Sequence, residues 1–388
     1  MRALPRRPHV VLNALFLDPG VSGGPETYLR GLAPTLRELR PDARLTVLTT
    51  RRGGRSLRMA GWPQLGIAVR TLPCDDGERI RRQAAEQLLL PAAAAAMRAD
   101  IVHSLASIAP VRVIGPAHVI TLHDVSFIHH ATFSPVTTWA FRQLIPRAAA
   151  HADGLIADAV ASRDDVCATL GLSPDRFTVA PLGVEIDPNA PATDPTMVHE
   201  RFGLGDARVL LCVGAKRPHK NQMVLLRALP LLPDDLRLVL AGHPEPYEED
   251  LRREAQALGI ADRVRFPGWV SDPDLEGLWR VAAAAALPTL GEGFGLPLIE
   301  AMARGVPTAA SGIPVLREVG GDWPEYFDAR DPGDAARAIT SVLETPPDPA
   351  AGRARAATFT WMATGRATWT AYDRALARRG GGRAQAVG

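Results

Sequence analysis

The residues whose types and spacing point to chemistry lie in two short stretches of the second half of the chain. In LPTLGEGFGLPLIEAMARG, residues 287–305, an apolar run ends in a loop carrying Gly291, Gly293 and Gly295, which opens through Leu296 and Pro297 into a helical segment. Glycines let bare backbone N–H groups approach a guest, and Pro suits the first helical turn. A helix N-terminus adds unpaired donors and the positive end of a dipole, so an anion such as phosphate is the expected guest. Two carboxylates frame this loop: Glu292 in its irregular part and Glu300 eight positions later, inside the helix. The second stretch is AKRPHKN, residues 215–221, which follows another apolar run. Of 44 basic residues in the chain only two are Lys, and both, Lys216 and Lys220, fall here beside Arg217 and His219. Compact ammonium groups next to a guanidinium fork favour a phosphate site over a basic surface loop. Either stretch alone would read as an ordinary turn of an α/β domain; their agreement gives them weight.

A third candidate is His123, which ends the strand-like HVITLHD. An imidazole there can hydrogen-bond or move a proton near neutral pH, although a lone His-Asp pair reads first as a structural histidine satisfied by Asp124 or a carbonyl.

The elements that must position these groups form a repeating pattern. Val10 to Leu17 reads as a buried strand, followed by the Gly-rich loop DPGVSGGPE and a helix from Thr27. Strands are expected at residues 45–50, 99–104, 118–124, 152–158 and 177–187. The pattern restarts with ARVLLCVG at 207–214 and continues at 236–242, 263–269 and 281–289. Alternating strands and helices predict an α/β chain of two doubly wound Rossmann-like domains, with ligands at the carboxyl ends of the strands. The expected boundaries are 1–187, a Pro- and Ala-rich linker at 188–206, 207–360, a helix at 361–378 and a disordered tail at 379–388.

Composition narrows the classes. The 388 residues, 46% hydrophobic, suffice for two cores, and a net charge of +2 gives no drive toward nucleic acid. The basic patch Arg51, Arg52, Arg55 and Arg58 reads as a solvated loop before it reads as a lipid contact. Cys74, Cys167 and Cys212 share no metal or disulfide spacing, which fits a reducing cytoplasm. The amino-terminal arginines before Val10 resemble a signal peptide only superficially, since the apolar run is short, holds Asn13 and lacks a small-residue cleavage pattern. No apolar run reaches a membrane-spanning length, so at most peripheral contact with the inner face of a membrane is expected.

Together, VGAKRPHKN and LPTLGEGFGLPLIEAMARGVPTAASGIPVLREVGGD resemble the donor-binding half of the retaining glycosyltransferases of family 4, which have the GT-B fold. The match includes the E-x7-E element from Glu292 to Glu300, and in the first half SGGPETYLRGL, TLHD and ADGLIADAVASRDDV are similar to the family's Gly-rich loop, HD strand and next helical region. The resemblance implies two domains facing each other across a cleft, with the C-terminal helix returning to the first. It implies a nucleoside diphosphate sugar as donor and a hydroxyl of a saccharide, a lipid-linked saccharide or a small molecule as acceptor. Lys220, with Arg217 or Lys216, would hold the diphosphate, joined by N–H groups around Gly295 and Leu296. Glu300 would accept from the ribose, and Glu292 with the amides of Gly293, Phe294 and Gly295 would hold the donor sugar. Backbone near Val270 would meet the base, Gly24 would approach the phosphates from the first domain, and His123 would touch the donor sugar or the acceptor. No cofactor or metal is expected, because Lys and Arg stand where a cation is needed and no D-x-D cluster is placed to hold one. Two departures from the family pattern, Pro25-Glu26 in the Gly-rich loop and Ala159 where Ser is usual, leave acceptor chemistry the least determined part.

Three rivals are weaker. A retaining glycoside hydrolase needs carboxylates about 5 to 5.5 Å apart and has no use for a phosphate loop. A non-catalytic GT-B partner subunit would have lost one of the Glu or Lys positions. A sugar-nucleotide epimerase of the same fold lacks the E-x7-E resemblance.

Overall fold

The computed structural model describes residues 7–74, 79–129, 135–187 and 189–385. It divides into two compact units, one built from Met1–Ile128, Phe133–Gly183 and Thr360–Gly388, the other from Val184–Phe359 with His129–Thr132.

The first unit holds a seven-stranded parallel sheet: β1 (His9–Ala14), β2 (Arg44–Thr49), β3 (Ile67–Thr71), β4 (Ile101–Ser104), β5 (Ala117–Thr121), β6 (Gly154–Ala157) and β7 (Phe177–Val179). Their order across the sheet is β3-β2-β1-β4-β5-β6-β7, so the winding reverses between β1 and β4. The second unit holds a six-stranded parallel sheet of β8 (Arg208–Val213), β9 (Leu236–Ala241), β10 (Val264–Gly268), β11 (Ala282–Leu287), β12 (Thr308–Ser311) and β13 (Glu325–Phe327). Here the order is β10-β9-β8-β11-β12-β13, and the reversal falls between β8 and β11. Such reversals leave a crevice at the carboxyl ends of the two strands, where the connections part to opposite faces.

Both faces of the second sheet are buried. Leu210 and Cys212 of β8 pack in one core cluster and Val209 and Leu211 in another, the two-residue period expected of a strand covered by helices on each side. β11 is AAAAAL, a poor strand by propensity. Its small side chains alternate between the same two clusters, and its place between β8 and β12 overrides propensity.

Several expected boundaries shift. His123 and Asp124 lie beyond the end of β5, in the loop that follows it. Residues 188–206 do not form a free linker: apart from Pro188, outside the described residues, this stretch belongs to the second unit and contains a helix at Pro195–Arg201. Asp194 caps that helix, Val198 joins the core with Leu278 and Trp279, and Thr193 donates to Asp274 at 2.6 Å. The tail also differs from expectation, since the last helix runs over Trp361–Gln385. Arg378 donates to the Asp175 carbonyl at 2.6 Å and Arg379 to the Asp153 carboxylate at 2.7 Å, which ties residues 378 and 379 to the first unit; only 386–388 lie outside the described residues. Farther up, Tyr372 hydrogen-bonds His103 at 2.8 Å and Trp369 donates to the Leu36 carbonyl at 3.3 Å. Among the described residues no helix is long and apolar enough to cross a membrane.

Candidate active site

The two stretches singled out by residue type leave neighbouring strands at the reversal point of the second sheet. β8 runs into Gly214 and residues 215–221, and β11 runs into residues 288–295. Side chains and backbone stitch the loops together. Asn221, with φ +55°, donates through Nδ2 to the carbonyls of Pro288 at 2.9 Å and Ala329 at 2.7 Å. Leu290 N donates to the His219 carbonyl at 2.8 Å, and Thr289 Oγ1 donates to the same carbonyl at 3.1 Å. Asn221 was not among the sequence candidates, although Asn between a basic loop and a helix start is a common occupant of left-handed backbone.

The helix expected after the glycine loop spans Leu296–Arg304. Its N-cap is Gly295 at φ +92°, where a side chain is disfavoured twice over: the backbone is left-handed, and a Cβ would lie 2.5 Å from Leu316 Cδ2. No side chain caps this end; Pro297 has no N–H and Leu298 N donates to the Gly295 carbonyl at 2.9 Å, so of the first three helical positions Leu296 keeps its N–H for a guest. Phe294 points inward, 3% exposed, with its ring edge-on to Phe359 at 5.4 Å. It anchors the loop, and only its backbone is placed to serve a ligand.

The basic loop separates into two kinds of cation. Lys216, one of the two candidates for the first phosphate cation, packs inward. Its side chain is fully buried, its Nζ donates to the Gly242 carbonyl at 2.5 Å, and Glu248 lies 3.9 Å away. Burial lowers its pKa to about 8 against the opposing pull of Glu248. Gly242 permits this packing: at φ +137° it approaches β8 so closely that a Cβ would sit 2.3 Å from the Gly214 carbonyl oxygen. Lys216 therefore packs inside the domain, whereas the Arg217 and Lys220 side chains are 30% and 24% exposed. Arg217 donates through Nε and Nη2 to one oxygen of Glu245, at 3.0 and 2.7 Å. Lys220 Nζ pairs with the Glu292 carboxylate. Glu245 went unnoticed in the sequence because its partner lies 28 residues away.

Glu300 is half-buried, and burial raises its pKa despite the nearby Arg304. Arg304 donates instead to the Glu300 carbonyl and, through Nε and Nη2, to Glu276. No described residue donates a hydrogen bond to the Glu300 carboxylate, which leaves both oxygens as acceptors for an outside hydroxyl. Val270 follows β10 at the same carboxyl edge of the sheet; its side chain packs against the core and its backbone lies in the loop before the helix at Asp272–Val281.

In the first unit, Gly24 begins the helix Gly24–Leu39 after β1, with Gly23 as N-cap at φ +59°. Glu26, one of the departures noted above, closes this loop by accepting from Gly20 N at 3.1 Å and pairing with Arg30. His123, expected to touch the donor sugar or the acceptor, is held by partners inside the first unit. Its Nδ1 lies 2.7 Å from the Asp158 carboxylate and its Nε2 2.9 Å from the Leu105 carbonyl, and the edge-on Tyr28 ring covers one side. Two acceptors require two N–H donors, so the ring is an imidazolium; burial opposes the charge, but Asp158, the Leu105 carbonyl and Asp124 raise its pKa to about 9. A ring with both nitrogens engaged has no lone pair for a base and no free N–H for a sugar. Asp158 and Leu105 were invisible as partners because they lie 35 and 18 residues away.

Comparison with known proteins bears on the family and the fold. Residues 22–188 match the family model described as Glycosyltransferase Family 4, and residues 198–358 match Glycosyl transferases group 1. The chain is 35% identical over 245 residues to D-inositol 3-phosphate glycosyltransferase 2 of Catenulispora acidiphila, covering 58% of this chain and 57% of that one. It is 31% identical over 252 residues to the MMP alpha-(1->4)-mannosyltransferase of Mycolicibacterium hassiacum, covering 62% and 58%. The chain thus spans somewhat over half the length of these curated relatives. Among solved structures, Anabaena HepE in complex with UDP and glucose superposes with a TM-score of 0.72 at 21% identity, over 93% of this chain and 98% of that one. With the two family models together matching most of the sequence, and with two parallel α/β sheets of this winding, the chain belongs to the group 1, family 4 glycosyltransferases and has the GT-B fold.

Proposed function

We propose that the chain transfers a hexose-type sugar, mannosyl being the first candidate, from a nucleoside diphosphate donor to an acceptor hydroxyl with retention of the anomeric configuration. One observation carries this reading: Arg217, Lys220 and the uncapped N-terminus of the helix Leu296–Arg304 issue from adjacent strands at the reversal point of one sheet. When the glycosidic bond to the diphosphate breaks, negative charge grows on the leaving phosphate. Fixed cations and N–H dipoles already at that position stabilise the transition state more than the ground state. Glu300, with no protein donor on its carboxylate, is suited to ribose hydroxyls, and Glu292 to the sugar end of the donor. Because these groups supply the positive charge, the reaction should proceed in EDTA; activity lost in EDTA and restored by Mg2+ or Mn2+ would reject that part.

The mannosyltransferase and inositol-phosphate glycosyltransferase names of the relatives, and the UDP bound by HepE, support the donor and acceptor classes: a nucleotide sugar, and a saccharide, lipid-linked saccharide or small polyol. The test is a thermal-shift comparison of UDP, GDP, ADP and dTDP, followed by assay with sugar donors of the best base. A diphosphate at 100 times its Kd stabilises by about 2.7 kcal/mol. Failure of all four to shift the transition would overturn the reading.

A further inference from the structure

We infer that Glu245 competes with the donor for Arg217, acting as an exchangeable counter-anion that weakens diphosphate binding and speeds product release. The inference rests on the reading of Arg217 and Lys220 as the diphosphate cations. One Glu245 oxygen accepts from both Nε and Nη2 of Arg217, at 3.0 and 2.7 Å. That is the edge of the guanidinium fork a phosphate would use, so carboxylate and phosphate cannot both occupy it. The pair is also open to exchange: the Arg217 side chain is 30% exposed and that of Glu245 25%.

The position of Glu245 is built into the fold. It follows β9, the neighbour of β8, and stands between Pro244 and Pro246, which restrict the backbone on either side. Its carbonyl accepts from Glu248 N at 2.9 Å, and the close approach of Gly242 to Gly214 fixes the spacing of the two loops. The same arrangement recurs at the other cation, where Glu292 pairs with Lys220. Each cation facing the proposed site thus carries a carboxylate, and an arriving diphosphate exchanges one anion for another. When the sugar has left, the same exchange in reverse returns the carboxylates to their cations and lowers the barrier to departure of the nucleoside diphosphate. Glu292 also has a part in sugar transfer, so only Glu245 reports this effect without loss of a reacting group.

The experiment compares Glu245→Gln and Arg217→Ala in the full chain, using the diphosphate that gives the largest thermal shift and its parent nucleoside as probes. Calorimetry gives affinity and stopped-flow displacement the dissociation rate. Glu245→Gln keeps the size of the side chain and removes the charge. It should tighten diphosphate binding roughly two- to fivefold, the range of a solvent-accessible ion pair, with slower dissociation and unchanged nucleoside affinity. A residue that merely positioned Arg217 would have the opposite sign. Unchanged or weaker diphosphate binding in a variant with wild-type melting temperature overturns the inference. Arg217→Ala should weaken the diphosphate and abolish the effect of adding Glu245→Gln. If Arg217→Ala binds as wild type, the assignment of Arg217 fails and the inference falls with it. If Arg217→Ala weakens binding while Glu245→Gln has no effect, only the inference fails.

Discussion

The ammonium of Lys220 and the carboxylate of Glu292 form a direct ion pair, although they are 72 residues apart in sequence. The pair joins the loop after β8 to the loop after β11. One residue is the proposed phosphate cation and the other the proposed sugar contact, so the chemistry of each depends on what the other is doing. Lys220→Ala should weaken nucleoside diphosphate binding by about 1.5 to 3 kcal/mol, the scale of a charge-assisted hydrogen bond to an anion. Calorimetry measures it; full affinity in the folded variant would remove Lys220 from the phosphate site.

The two glutamates of the E-x7-E element should separate on mutation. Glu300 accepts from the donor in ground and transition state alike, so Glu300→Ala should raise the donor KM and weaken the bare diphosphate with a smaller change in kcat. Glu292→Gln should lower kcat by roughly two or more orders of magnitude, the scale of one lost electrostatic contact at a reacting centre. It also frees Lys220, so its affinity for the sugar-free diphosphate should hold or rise. Parallel losses of diphosphate affinity in both variants would show that this division is wrong.

The contrast between these loops and the rest of the site shows what a sequence carries. The rarity of Lys drew attention to the β8 loop, and the glycines and Pro297 did so for the β11 loop; both signals are local, and both loops lie at the reversal point. Pairings across tens of residues left no such mark. Glu245 is one carboxylate in the acidic run PEPYEED, and only the β8–β9 pairing sets it against Arg217. Lys216 looked interchangeable with Arg217 because a lysine after a strand normally faces water; the close contact of Gly242 with Gly214 turns it inward. β12, with the sequence TAAS, and the three-residue β13 lacked the β-branched runs that announce a strand, and pairing with their neighbours makes them strands.

The His123–Asp158 pair should show itself in the pH dependence of stability. A His pKa raised from 6.5 to about 9 means that the folded protein keeps a proton that the unfolded chain releases. Its stabilisation is complete below pH 6.5 and is lost as pH rises through about 9. Asp158→Asn should cost on the order of 3 kcal/mol at pH 6, the cost of breaking a buried pair, and the deficit should shrink toward pH 9.5. Denaturant titrations of both proteins across this range measure it, and a deficit that grows with pH would contradict the assigned imidazolium.

Lys216→Met separates the interior cation from the ligand cations. The Lys216 ammonium is occupied by the Gly242 carbonyl and has Glu248 as its nearest counter-charge, with no exposed surface through which a phosphate could reach it. Diphosphate affinity in Lys216→Met should therefore stay within about twofold of wild type, where Arg217→Ala and Lys220→Ala each lose much more. Burial lowers the Lys216 pKa from 10.5 to about 8, so between these values the unfolded chain binds more protons than the folded one. The contribution of this group to stability consequently rises from pH 8 to pH 10.5, and the Met variant should lack that rise. Calorimetry at pH 7.5 and denaturation at pH 8 and pH 10 decide the matter together. A large loss of affinity with an unaltered pH slope would return Lys216 to the phosphate site and require the side chain to turn outward when the donor binds.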